Sequence, residues 1–228
     1  MAAPYVSYYF MPKDGSSVKI LFVSDRVVRR IYSPQLAERY KDIDLIIGCG
    51  DLPYYYLEFI VSILNVPMLY VHGNHDPAQE YLSNGTVITS PGGGKNLHGI
   101  TQVERNLLLA GLEGSIRYKK GMFQYTQREM WLNVFLLIPK LLINKMRYGR
   151  YLDILVAHSP PYGIHNGEDQ THIGFEAFLW LMKVFKPRYL IHGHRHIYNP
   201  CEITETQFLD TTVINIYPFK VLEVEIPL

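Results

Sequence analysis

Along the first third of the chain, short unbroken apolar runs alternate with stretches of helical periodicity. Residues 19–23, 45–47 and 68–71 read as strands, and 33–40 and 54–64 as helices, giving the order βαβαβ. The runs ILFV and LIIG are apolar at every position rather than at every second one. Strands of that kind are covered on both faces, as parallel strands between helices are.

Beyond residue 86 the pattern changes to Gly, Pro and Ser punctuation (SPGGGKN), followed by two short strand candidates at 101–104 and 107–110. Residues 154–157 and 189–191 again read as buried strands and flank a helix at about 175–185. The tail carries β-branched runs at 207–210, 212–217 and 221–226, separated by turn residues. These segments predict a second, mostly antiparallel sheet packed on the first. No repeat or linker divides the text, and 228 residues with 48% hydrophobic content suit one domain over 1–228.

Charge narrows the partners. With 22 basic and 21 acidic residues the net charge is +1, so nucleic acid is not expected and an anionic substrate must be gripped locally. The opening MAAPYVSYYFMPKDG has neither a basic n-region nor an apolar h-region, and no run reaches bilayer-spanning length, so a cytoplasmic location is expected. Two cysteines, Cys49 and Cys201, are too few for a disulfide framework, although one bridge between them stays open.

Five places set metal-capable side chains just past a strand end: Asp25 after KILFVS, Asp51 in GCGD, Asn74, His75 and Asp76 in GNHD, His158 in VAHSPP, and His194 with His196 in HGHRH. Ligands of open α/β sheets bind outside the carboxyl ends of the strands, where residues distant in sequence converge. Taken alone, each residue has a plainer reading as a helix cap, turn former or loop histidine. An extended backbone sends His194 and His196 to the same side, and Gly50, Gly73 and Gly193 permit close backbone approach. Carboxylate, amide oxygen and imidazole together suit Mn, Fe or Zn.

The ordered blocks SDRV, GCGDLP, GNHD, AHSPP and GHRH resemble the signature of the calcineurin-like metallophosphoesterase superfamily (D-x-H, G-D, G-N-H-D/E, H, G-H-x-H) from Asp25 to His196. That resemblance implies an α/β (α+β) fold, a four-layer αββα sandwich of two mixed sheets flanked by helices, around two divalent ions. It also implies a phosphoric ester hydrolase acting on a small phosphate ester, with phosphodiesters or nucleotides favoured over phosphoproteins. Asp51 would bridge the ions, Asn74, His158 and His194 would complete one, and Asp25 with His196 the other. Such ions supply hydroxide at neutral pH, while His75 would act as general acid, steadied by Asp76. The D-x-H histidine falls at Val27, which cannot ligate, so one ion is expected to be weak. Tyr54 stands where a second acidic residue often follows G-D. The departure at Val27 feeds an alternative, a non-catalytic scaffold of the same fold that binds a protein partner.

Arg26 and Arg195 lie inside two blocks, where a guanidinium can grip phosphate or simply pair with a carboxylate. His72 and His192 read as buried core residues. His165 and His172 bracket NGEDQT, read as a surface loop or as one that reaches over the metal site. Finally, QREMWLNVFLLIPKLLINKMRY at 127–148 is a helical insert whose one narrow polar stripe leaves most of it apolar. Pro139 is expected to kink or split it. It needs cover from the domain or from a second copy in a homodimer; the sharper reading is contact with a membrane surface or hydrophobic substrate through 130–146.

Overall fold

The computed structural model describes residues 17–81 and 83–227; the N-terminal segment on which the absence of a leader was read lies outside them. The chain opens with β1 (Ser17–Val23), α1 (Leu36–Arg39), β2 (Leu45–Gly48), α2 (Tyr54–Leu64) and β3 (Met68–Tyr70), the predicted alternation. A small ladder of β4 (Glu80–Tyr81) and β5 (Val87–Ile88) precedes β6 (Gly94–Asn96). Next come β7 (Thr101–Glu104), β8 (Leu107–Leu112), and the short parallel pair β9 (Ser115–Ile116) and β10 (Gln124–Tyr125). The chain continues through α3 (Gln127–Tyr148), β11 (Ile154–Ala157), α4 (Glu176–Phe185), β12 (Tyr189–His192), β13 (Glu205–Phe208), β14 (Thr211–Asn215) and β15 (Phe219–Glu225).

Two mixed sheets result. One has the order β15-β1-β2-β3-β6, the other β13-β14-β12-β11-β8-β7. Strand alternation splits each apolar run between two cores, which is why no position in ILFV is polar. Ile20, Phe22, Leu45 and Ile47 meet Leu107, Leu109, Ile154 and Val156 between the sheets. Leu21, Val23 and Ile46 face α1 and α2 together with Tyr56, Leu57 and Ile60. On the far side Ala110, Leu112 and Leu155 pack beneath Val134, Leu137 and Leu141 of α3 and Phe178 and Leu181 of α4. Layer order is therefore αββα, with roughly 1.5–3 kcal/mol gained for each large side chain fully removed from water.

Two expectations are corrected and a third is narrowed. The second sheet is not mostly antiparallel: β8, β11, β12 and β14 are parallel, and only the edges β7 and β13 run against them. The long crossovers carrying α3 and α4 impose this, since parallel neighbours cannot be joined by tight turns. The last strand returns to the first sheet, pairing antiparallel with β1 from Ser17↔Glu225 to Val23↔Phe219. Of the two outcomes expected at Pro139, a kink or a split, the split is excluded: α3 runs unbroken for 22 residues. The proline lies on its exposed face, where solvent can take over the freed carbonyl of Phe135. At its start a capping box ties Thr126 and Glu129 reciprocally.

Candidate metal centre

Asp25, Asp51 and His194 each follow a strand and each turns back through a left-handed backbone conformation, with φ of 61°, 56° and 64°. Non-glycine residues adopt it at some cost, and such residues gather where a site dictates side-chain direction. The loops behind them are laced edge to edge: Asp25 N–H donates to Gly50 O at 3.0 Å and Gly193 N–H to His158 O at 3.0 Å. Two glycines are obligatory for this closeness. A Cβ on Gly73 would stand 2.0 Å from Asp51 Oδ1, and one on Gly193 would stand 1.9 Å from Ser24 Oγ.

This brings the predicted ligands together. Asp25, Asp51, Asn74, His75, His194 and His196 line one pocket of about 460 Å³, with Tyr118, Thr171 and His172 completing its wall. His158 lies beneath, fully buried, its Nε2 3.4 Å from Asp51 Oδ2 and 3.1 Å from Asn74 Oδ1. Ligand atoms of Asp51, His158 and His194 are mutually within 4.8 Å, the one such group of His, Cys and carboxylate side chains among the described residues.

Backbone carbonyls orient both imidazoles. His158 Nδ1–H donates to Cys49 O at 2.8 Å, turning Nε2 toward Asp51 and Asn74. His194 Nε2–H donates to Thr171 O at 2.9 Å, which leaves Nδ1 as its free lone pair. Second partners of this kind fix tautomer and ring angle at metal sites. Burial pushes His194 down to about 3, helped by the charge of His158, so it is neutral at physiological pH. Burial works the same way on His158, but the Asp51 carboxylate outweighs it and raises that imidazole to about 9. Burial alone would raise Asp51; His158 instead holds it down to about 2.

The other half is more open. His194 N–H donates to Asp25 Oδ2 at 2.9 Å, while the buried Asp25 Oδ1 has no hydrogen-bond partner. His196 Nε2 stands 3.7 Å from that oxygen, and its ring stacks on Tyr217 with centroids 4.5 Å apart. An orphaned buried carboxylate oxygen facing an imidazole is a fit for a cation. Val27 contributes nothing there, because its side chain packs with the cluster beneath α1 and α2.

One reading changes and one is narrowed. Asp76 does not steady the His75 ring: its carboxylate accepts from Gly73 N at 2.8 Å, Asp51 N at 3.1 Å and Leu52 N at 2.9 Å, binding the GNHD loop to the GCGD loop. Arg195 is taken up by Glu202 at 2.8 Å and lies away from the pocket. His75 is exposed at the pocket mouth, its own N–H held by Asp51 Oδ1 at 2.7 Å. The loop after AHSPP does reach the site, through Thr171 and His172. Sequence reasoning missed Tyr118, whose place depends on the β9–β10 pairing, and the Thr171 contact, which is made by a carbonyl that every residue carries. Cys49 and Cys201 are both free thiols.

Known structures repeat the fold. TT1561 of Thermus thermophilus matches over 92% of this chain and 99% of its own, at 15% identity and a TM-score of 0.58. GAP50, the anchor in the inner membrane complex of Plasmodium, matches over 88% of this chain and 71% of its own, at 13% identity and a TM-score of 0.50. No curated protein matches the sequence. Such distant likeness establishes architecture only, whereas the profile of the calcineurin-like phosphoesterases matches residues 18–198, a span that holds every candidate ligand described above. By that match the chain belongs to the calcineurin-like phosphoesterase family.

Proposed function

We propose that this protein hydrolyses small phosphate esters at the Asp51 centre, with phosphodiesters and nucleotide-type compounds as its substrate class. The observation that carries this reading is the convergence of Asp51, Asn74, His158 and His194, with each imidazole held through one nitrogen by a backbone carbonyl so that the other is left for an ion. Divalent cations, which the donor set suits as Mn, Fe or Zn, supply Lewis acidity and charge neutralisation when bound. Asp51, Asn74, His158 and His194 hold the tighter ion in this reading, and Asp25 with His196 a weaker one. His75, exposed at the mouth and fixed through its backbone N–H, donates a proton to the leaving oxygen. Asp76 is a positioning residue that acts through the loop backbone.

Support for a substrate carrying further negative charge comes from Arg26, Arg29 and Arg30. With Val27, Val28 and Pro218 they line a hollow of about 540 Å³. One wall follows the ligand Asp25 directly, and the other follows Tyr217, on which His196 stacks. Guanidinium groups suit a second phosphate by their fork geometry.

A second reading, a scaffold of the same fold that binds a protein partner, is favoured by Val27 alone. Metal analysis of the purified protein, joined to hydrolysis of bis-p-nitrophenyl phosphate and p-nitrophenyl phosphate in Mn²⁺, separates the two. Stoichiometric metal with turnover, faster on the diester, is expected. A metal-free and inert protein would exclude the enzyme.

A further inference from the structure

The outer face of α3 presents a second apolar stripe, opposite the residues that pack on the sheet. Leu132, Phe135, Leu136, Leu142, Ile143 and Met146 recur at helical spacing and are exposed, Leu132 at 57%, Leu136 at 60% and Met146 at 87%. The buried stripe is separate: Met130, Val134, Leu137 and Leu141. Isolated exposed apolar side chains are ordinary, but six on one face of one helix are an unfinished surface.

Charge decides what finishes it. Between residues 130 and 148 the helix contains no Asp or Glu. Arg128 stands at one end of the stripe, Lys145 and Arg147 at the other, and all three are exposed. Glu129 is taken up by the capping box and by Arg117 at 2.9 Å. On the neighbouring α4 the acid Glu176 is confined to the first turn, while Lys183 lies near the other end. Trp131, Phe135 and Trp180 form an aromatic cluster at the helix-helix border, with centroids 5.6–5.8 Å apart. Two copies docked through this face about a two-fold axis would oppose basic ends to basic ends in either orientation, and the helix's one acid, Glu129, is already engaged by Thr126 and Arg117. An apolar stripe bracketed by cations and edged by tryptophans is complementary instead to anionic lipid.

We propose that the outer face of α3 is a docking surface for an anionic membrane, against which the helix lies flat. No helix among the described residues is long and apolar enough to cross a bilayer, so the contact is with the surface. The α3 N-terminus adjoins the catalytic pocket: Gln127 holds Gly174 O at 2.9 Å and Glu176 N at 3.1 Å, closing the loop that carries Thr171 and His172. Docking through α3 therefore brings the pocket rim near the lipid.

The test is flotation of the full chain with phosphatidylcholine vesicles and with vesicles also containing phosphatidylserine, alongside sedimentation analysis without lipid. The expected result is binding to the anionic vesicles only, lost in high salt. Leu136→Asp with Ile143→Asp should lower it about tenfold or more, and loss of either Lys145 or Arg147 roughly 5-fold each. Far-UV circular dichroism and metal content, neither of which depends on lipid, confirm that the variants are folded. Failure to float, or equal binding to neutral vesicles, overturns the proposal. A wild-type dimer that Leu136→Asp dissociates replaces the membrane with a second copy as the occupant. None of these outcomes bears on hydrolysis at the metal centre.

Discussion

The two halves of the metal centre are built to different standards. Around Asp51 the donors are buried, two imidazoles are oriented by carbonyls, and Asn74 adds an amide oxygen at 3.1 Å from His158. Around Asp25 there is one carboxylate with an unpartnered oxygen, one half-exposed histidine, and a half-buried valine packed against the cluster beneath α1 and α2. A site framed by second partners holds its ligands before an ion arrives, whereas an open pair must gain order on binding. One altered letter, at Val27, leaves the Asp25 half one imidazole short, while the Asp51 half keeps its full set of donors and meets Asp25 through the His194 N–H.

The sharpest break comes from Asp51 itself. Asp51→Asn should remove both ions by mass spectrometry or plasma emission and cut turnover by on the order of 10³-fold, since several kcal/mol of charge stabilisation are lost. His75→Ala should lower turnover by roughly 10²–10⁴-fold at unchanged metal content, and equal metal loss would place His75 in the ligand set instead. In the opposite sense, Val27→His should tighten the weaker ion by about 10–100-fold in calorimetric titration, with the tighter ion unchanged. If both affinities move together, the halves are not independent.

Asp76→Ala should leave the ligands in place chemically but cost about 3 kcal/mol of stability in urea titration, because three backbone donors lose a charged acceptor. The smallest effect concerns pH. His158 is raised to about 9 by Asp51 after burial is overcome, so an ion at this half must displace a proton whenever the pH lies below that value. Affinity should therefore rise with pH up to about 9 and level above it. Titrations in buffers of different ionisation enthalpy should report a released proton at about pH 7; a pH-independent affinity would contradict the pairing.

Much of this was legible in the residues alone. Runs such as Ile20–Val23 announced strands buried on both faces, and the motif blocks announced which strand ends carry chemistry. The strand order of the second sheet was not legible, since β-branched runs at 211–225 look alike whether they join β12 or β1. Asp76 was misread because a carboxylate beside His75 in sequence says nothing of which way it points. Thr171 was invisible because its contribution to His194 is a peptide carbonyl. Arg195, by contrast, found the plainer of its two readings in Glu202.

The left-handed turns at Asp25, Asp51 and His194 also bear on time rather than affinity. Three side chains already aimed by strained backbone, with Gly73 and Gly193 leaving no slack behind them, give an arriving cation nothing to fold. The speed of loading at the Asp51 half should then follow how quickly the aqueous ion sheds its own water, differing between one element and the next, rather than any motion of the chain.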